Sequence, residues 1–321
     1  QSLSYVTGRV LTEVEGIIRE EQPDWVLVQG DTTTTMAASL AAFYQGVKVG
    51  HIEAGLRTQD KWQPFPEEIN RRVTSVVADL HFAPTLWAKG NLLREGVPDE
   101  RILVTGNTVI DALLDVAAQP FDPAGILLER LSLDGKRAIL VTAHRRENFG
   151  RPLENICLAL REIAKQYDGD VHIVYPVHPN PSVQGPVYRL LGDVPNISLM
   201  PPLDYQSFVW LMKHSHLVLT DSGGLQEEAP GLGKPVLVLR EVTERPEAVE
   251  AGTVKVIGKA RERVVAETTR LLENAAEYEC MAQAINPYGD GHAAERIVSA
   301  LLAQNGVRGS RLSASAEKVA E

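Results

Sequence analysis

The feature that most constrains this chain is an alternation along its whole length. Short β-branched runs, bounded by Gly or Asp, take turns with longer stretches of helical amphipathic period. That pattern is the signature of parallel sheets whose strands are joined by helical crossovers. Strands are expected at 25–29, 47–53, 80–83 and 102–105, then at 138–143, 171–177, 197–200, 216–220, 236–239 and 254–257. Helical patterns lie between them, among them 2–20, 36–44, 86–95 and 291–304. Pro120, Pro123 and Gly125 mark a linker over 118–136. The expected organisation is a first Rossmann-like domain over 1–117, the linker, a second over 137–285, and a C-terminal helix over 286–304 returning toward the first domain. A mobile tail over 305–321, rich in Ser, Ala and charge, completes the chain.

Four strands precede the linker and six follow it, whereas a doubly wound nucleotide-binding unit commonly has about six. The chain also opens on Gln1 and enters a helix directly, where such a unit would begin with a strand. The first domain is therefore expected to be N-terminally incomplete, lacking its leading βαβ portion.

Composition excludes several function classes. At 44% hydrophobic and 23% charged residues, a substantial core can form. No apolar run reaches the roughly 18 residues that a bilayer requires, so no membrane partner is expected. The formal net charge of −10 disfavours nucleic acid. Cys157 and Cys280 are two isolated thiols, read as small buried hydrophobes in a reducing cytoplasm. An anionic substrate on so acidic a chain needs a local cluster of Arg, His or helix N-termini.

In open parallel sheets ligands bind beyond the carboxyl ends of the strands, which directs attention to the residues after each strand. Asp221-Ser222-Gly223-Gly224 stands between a strand and a helix, where backbone N–H groups can close on a diphosphate. Glu228, a turn inside that helix, is placed to accept ribose hydroxyls. The bland alternative is a tight turn with Ser222 as N-cap and the glutamates in solvent. Asp31 with Thr32 to Thr35 after the first strand suits either a site or a helix cap with β-branched filler. Glu53 ends the second strand and would point into the crevice, whereas Glu67 alone reads as solvated. His144, Arg145 and Arg146 form a cation cluster at a strand end, suited to phosphate contact or to surface ion pairs. His178, between Val177 and Pro179, reads as a ligand contact. None of these residues has metal-ligand spacing and no Asp-x-Asp pair stands among them to hold a divalent ion with a nucleotide, so a cofactor-free, metal-free site is expected.

Taken together, these segments resemble the non-hydrolysing UDP-N-acetylglucosamine 2-epimerase family. The carrying motifs are Gly30–Thr35, Gly50–Thr58, Pro66-Glu67-Glu68, Thr105–Leu113, Thr142–Gly150, Asp221–Pro230, Thr243–Ala248 and Asn286–Gly291, collinear to about residue 303. The family's opening Gly-Thr-Arg-Pro-Glu loop has no counterpart here, in keeping with the strand count. The resemblance implies an α/β glycosyltransferase-B-like fold of two Rossmann-like domains with an interdomain active site, and a homodimer. It implies interconversion of UDP-N-acetylglucosamine and UDP-N-acetylmannosamine by UDP elimination and re-addition. UDP-N-acetylglucosamine would also serve as an allosteric activator. Asp31, Glu53, Glu67 and His144 match the family's catalytic residues. Ser222, Gly223, Gly224 and Glu228 match its nucleotide contacts, with His178, Arg145 and Arg245 lining the same site. A hydrolysing epimerase releasing N-acetylmannosamine and UDP, or a silent UDP-sugar-binding protein, are the alternatives; a silent binder would be expected to lose Asp31, Glu53 or Glu67.

Overall fold

A computed structural model describes residues 2–122 and 135–304. Most of the expected linker (118–136) and the whole of the expected tail (305–321) lie outside the described residues. The chain separates into two compact units, Gln1–Asp111 with Tyr288–Glu321, and Ala112–Pro287. All ten expected strands form, within one or two residues of their read bounds.

The first unit carries four parallel strands in the order β1 (Trp25–Gln29), β2 (Lys48–Ile52), β3 (Leu80–Ala83) and β4 (Ile102–Val104). All residues of β3 are buried, as both faces of a parallel sheet are covered by helices. Caps place the helices in register. Ser2 accepts from the Tyr5 amide at the start of Leu3–Glu21, and Thr32 and Thr85 cap Thr33–Tyr44 and Leu86–Arg94 in the same way. The closing helix, Ala293–Gln304, sets Ile297 against Leu80 and Phe82. Its first amides, on Ala293 and Ala294, donate to the Asp111 carboxylate at 3.1 and 2.8 Å. Two of the sequence motifs meet here: a side chain on Gly106 would come within 3.1 Å of Gly289, and the Asn107 amide donates to the Tyr288 carbonyl at 2.6 Å. Their glycines thus serve backbone packing inside this unit.

The second unit holds six parallel strands, β5 (Arg137–Thr142), β6 (Val171–Pro176), β7 (Ile197–Met200), β8 (Leu217–Thr220), β9 (Val236–Val238) and β10 (Val254–Val256). Their spatial order is β10-β9-β8-β5-β6-β7, so the order reverses between β5 and β8. Ligands of such sheets bind at that switch point. A continuous core runs from Ile139 and Val141 through Leu160, Ile173 and Leu219 to Val264 and Leu271.

Of the two thiols, only Cys157 is buried, where desolvation pushes it up to about 12; Cys280 is exposed, on the outer helix Ala275–Ala282. The reading of both as core residues is corrected at Cys280, because that short helix has no buried residue.

Gly55 follows β2 at φ +93°, and a Cβ there would meet the Ala88 carbonyl oxygen at 2.3 Å. Gly46 also has positive φ, +69°, but open space around it. Gly46→Ala should therefore cost only the conformational term of about 1–2 kcal/mol. Gly55→Ala should cost at least about 2 kcal/mol more, since backbone must move. Thermal unfolding of the two variants side by side checks this, and equal midpoints would refute the close approach.

Candidate functional site

The ends of β1 and β2 bring the first unit's candidate residues into one loop cluster. Thr32, not Asp31, is the cap of Thr33–Tyr44, and Thr35 Oγ1 donates to the Gln29 carbonyl at 2.7 Å. Asp31 is thereby released from capping, and its Oδ2 accepts from Arg71 Nη2 at 2.6 Å. Asn70 Nδ2 donates to the Asp31 carbonyl at 2.9 Å. Glu53 sits at φ +63°, a conformation that non-glycine residues seldom take, at a strand end. Its carboxylate lies within 3.3 Å of where a Gly30 side chain would be, which places Glu53 against the Gly30-Asp31 turn. His51, fully buried, secures the same turn through Nε2 and the Gly30 carbonyl at 2.9 Å. Burial lowers His51 to about 4, so the ring is neutral and Nε2 is the donor.

Glu67 opens the helix Glu67–Val77, with Asn70 and Arg71 a turn further on. Its reading as a solvated residue is corrected. The residue is half-buried, and one carboxylate oxygen is buried without a hydrogen-bond partner among the described residues. A helix N-terminus tolerates that charge better than open protein would. Asp31, Glu53 and Glu67 are thus tied to one cluster, through Arg71, Asn70 and the Gly30 turn.

In the second unit the organising residue is Asp221, fully buried at the end of β8. Its Oδ2 accepts from the His144 amide, the Arg145 amide and Asn148 Nδ2, each at 2.8 Å. These bonds hold the loop after β5 beside the loop after β8. His144 Nδ1 stands 3.6 Å from Asp221 Oδ1, and its ring stacks on His178 at 5.3 Å with 13° between planes. Desolvation lowers His144, partly offset by Asp221, so it is a neutral imidazole near pH 7. His178 is exposed.

The turn at 222–224 differs from the bland reading. Gly224, not Ser222, occupies the cap position of Leu225–Gly231, and no side chain caps it. The Ser222 amide donates back to Thr220 Oγ1 at 2.9 Å. The Arg245 guanidinium lies 3.3 Å from where a Gly223 side chain would be, a close approach that any larger residue would tighten. Nor are the glutamates in solvent. Glu227 is buried and accepts from Arg245 Nε at 2.7 Å. Glu228 is partly buried and accepts from Tyr205 Oη at 3.1 Å, and desolvation raises it to about 7. Arg145 is 41% exposed on its side chain with Glu244 at 3.9 Å, too loose to commit it as an ion pair.

Asp221, Arg71 and Glu68 organise these loops, and the sequence reading made none of them a candidate site residue. Asp221 was legible as an acidic residue directly after a buried strand, but attention fell on the glycines that follow it. Arg71 and Glu68 sit in a polar stretch whose burial nothing in the local sequence signals. Among the described residues no helix is long and apolar enough to cross a membrane.

Residues 1–302 match the family model described as UDP-N-acetylglucosamine 2-epimerase. A curated relative, the UDP-N-acetylglucosamine 2-epimerase of Escherichia coli K12, is 56% identical over 94% of this chain and 81% of its own length. The Neisseria meningitidis UDP-GlcNAc 2-epimerase, solved bound to UDP-GlcNAc, is 49% identical with a TM-score of 0.84, covering 94% of this chain and 82% of that one. The S. aureus protein MnaA, solved with UDP, is 48% identical with a TM-score of 0.90, covering 96% and 83%.

Two outcomes test this geometry. Asp221→Ala strands three donors in a buried place and should destabilise the second unit by about 3 kcal/mol, read by calorimetry. Glu228 is raised in the folded state, so between about 4.5 and about 7 the folded chain holds the proton that the unfolded chain releases. Stability should fall as pH rises through that window, by at most roughly 3 kcal/mol. Glu228→Gln should flatten the fall in a melting-temperature series from pH 4.5 to 7.5.

Proposed function

The chain belongs to the UDP-N-acetylglucosamine 2-epimerase family, and from that premise we propose that it interconverts UDP-N-acetylglucosamine and UDP-N-acetylmannosamine without net hydrolysis. The enzyme is an epimerase; its substrate, route and residue roles are the proposal.

The hydrogen on carbon 2 of the sugar is not acidic, because no carbonyl neighbours that carbon. Elimination removes the difficulty. The bond from carbon 1 to the UDP oxygen breaks with its electron pair leaving on UDP, and the ring gains positive character. A carboxylate takes the carbon 2 proton, and the C–H electron pair becomes the carbon 1–carbon 2 double bond of a glycal. Re-addition of UDP to carbon 1, with a proton delivered to the other face of carbon 2, gives the epimer. Such a route needs proton-transfer groups for two faces and a stabilised leaving group.

Asp31 and Glu67 are assigned to proton transfer, and Glu53 to stabilising the cationic ring. The backbone amides at Gly223 and Gly224, with the Ser222 hydroxyl beside them, take the diphosphate, in the manner of helix N-termini that bind phosphate. Glu228 takes the ribose hydroxyls, and a carboxylate desolvated enough to sit near 7 gains from such donors. His144, neutral and braced by Asp221, is placed to donate to a phosphate oxygen as UDP departs. His178, Arg145 and Arg245 complete the nucleotide contacts. The reading includes a homodimer working in the cytoplasm, with UDP-N-acetylglucosamine as activator as well as substrate, and neither cofactor nor metal.

The observation that supports the reading is that Glu53 lies against the Gly30-Asp31 turn, while Asp31 is bonded to Arg71 of the helix that Glu67 opens, with one Glu67 oxygen buried and without a partner among the described residues. Such an oxygen costs stability and is retained where chemistry needs it.

Incubation with UDP-N-acetylglucosamine in heavy water, followed by proton NMR, tests it. UDP-N-acetylmannosamine bearing deuterium at carbon 2 is the expected product. Free N-acetylmannosamine with UDP would instead mean hydrolysis, and an unchanged spectrum would mean a binding protein. Asp31→Asn, Glu53→Gln and Glu67→Gln should each lower kcat by about 10²–10⁴-fold.

A further inference from the structure

The helix that begins at Glu67 does more than deliver that residue. Glu68 is completely buried, and all of its acceptor capacity is engaged. Its Oε1 accepts from the Gln59 amide and Arg72 Nε, both at 3.2 Å, and its Oε2 from the Thr58 amide at 3.1 Å and Arg71 Nη1 at 3.3 Å. Arg71, with a side chain 7% exposed, spends its two terminal nitrogens on two different carboxylates, Nη1 on Glu68 and Nη2 on Asp31. Its Nε is buried and, among the described residues, has no hydrogen-bond partner, so the hydrogen bonds to the guanidinium there come through its two terminal nitrogens. Charges alternate along this row: Asp31, Arg71, Glu68, Arg72. A buried charge survives only when compensated in this way, and removal of one member leaves its neighbours uncompensated.

We propose that Arg71 and Glu68 are the positioning unit of this enzyme, fixing the Asp31 carboxylate relative to Glu67 without contacting the sugar. The proposal rests on the epimerase reading above. Arg71 lies one turn below Glu67 on one rigid helix, so its grip on Asp31 sets the separation of the two assigned proton-transfer groups. Glu68 locks that helix start to the 58–59 backbone, so the helix cannot shift without breaking the two hydrogen bonds from the Thr58 and Gln59 amides. A misplacement of about 1 Å can cost 10²-fold in rate, which is why a residue that touches no substrate can govern kcat. The planar guanidinium is required because an ammonium is a single point and cannot span two carboxylates with fixed geometry.

The test uses the full chain. Wild type is assayed for net epimerisation in heavy water, beside Arg71→Met, Arg71→Lys and Glu68→Gln. Arg71→Met should lower kcat by about 100-fold. Its KM for UDP-N-acetylglucosamine and its affinity for UDP in titration calorimetry should change less than about threefold, since the nucleotide contacts lie in the second unit. Millimolar guanidinium should restore part of the Arg71→Met kcat while leaving wild type and Asp31→Asn unaffected, a response that a merely structural arginine would not give. Arg71→Lys keeps the charge and decides the matter if Arg71→Met does not fold. It should lose about tenfold in kcat at unchanged UDP affinity. Glu68→Gln should lose kcat in the same KM-neutral manner. An Arg71 variant within about threefold of wild-type kcat, or no rescue of folded Arg71→Met by guanidinium, overturns the proposal and leaves the epimerase reading intact. A wild-type enzyme that fails to exchange carbon 2 overturns both.

Discussion

Loops that carry function have backbone N–H groups that neither sheet nor helix satisfies, and something must accept from them. In each unit of this protein a buried carboxylate does so. Asp221 accepts from the amides of His144 and Arg145, and Glu68 from those of Thr58 and Gln59. A carboxylate offers several lone pairs at short range and forms the stronger, charge-assisted kind of hydrogen bond. The arrangement is costly to bury, so each is compensated: Glu68 by the charges of Arg71 and Arg72, Asp221 by hydrogen bonds from two amides and Asn148. The candidate chemistry is built on loops that these two side chains hold still.

The proposed diphosphate ligand would meet an acidic chain, and the second unit is built for that in a particular way. Its arginines near the 222–224 turn are already engaged. Arg240 bonds Glu147 and Glu244, and Arg245 bonds Glu227 with Glu244 nearby. Their charges are largely spent on fixing the walls, which leaves backbone amides and the helix dipole as the main attraction for a diphosphate. Such a grip is short-ranged and geometrically exact in its demands. In the proposed reading it would hold a pyrophosphate without a broad positive field that collects other polyanions, in keeping with the formal charge of −10.

Much of this was legible beforehand. The strands were found because buried parallel strands are short, β-branched and bounded by turn residues, and that signal is local. The turns after β1, β2, β5 and β8 were found for the same reason, and with them Asp31, Glu53, His144 and Ser222 to Gly224. The misjudged residues share a different property. Glu67 taken alone read as solvated, although a carboxylate oxygen of it is buried, and the bland alternative of a Ser222 cap fails because the helix starts later, at Leu225. Cys280 read as core, although its helix packs nothing there. Each of these depends on what approaches from elsewhere in the chain.

The sequence by itself therefore determined the fold class, the order of the strands along the chain and which loops end at a ligand-binding edge. Periodicity, turn residues and motif spacing are local properties that a linear text preserves. Only the tertiary structure decided how the polar residues are partnered. Arg71 reaches across 40 positions to Asp31, Asp221 across 77 to His144, and Arg57 across 38 to Glu95. Electrostatic and hydrogen-bonding free energies depend on distance and burial in space, and neither quantity is written in the order of the residues.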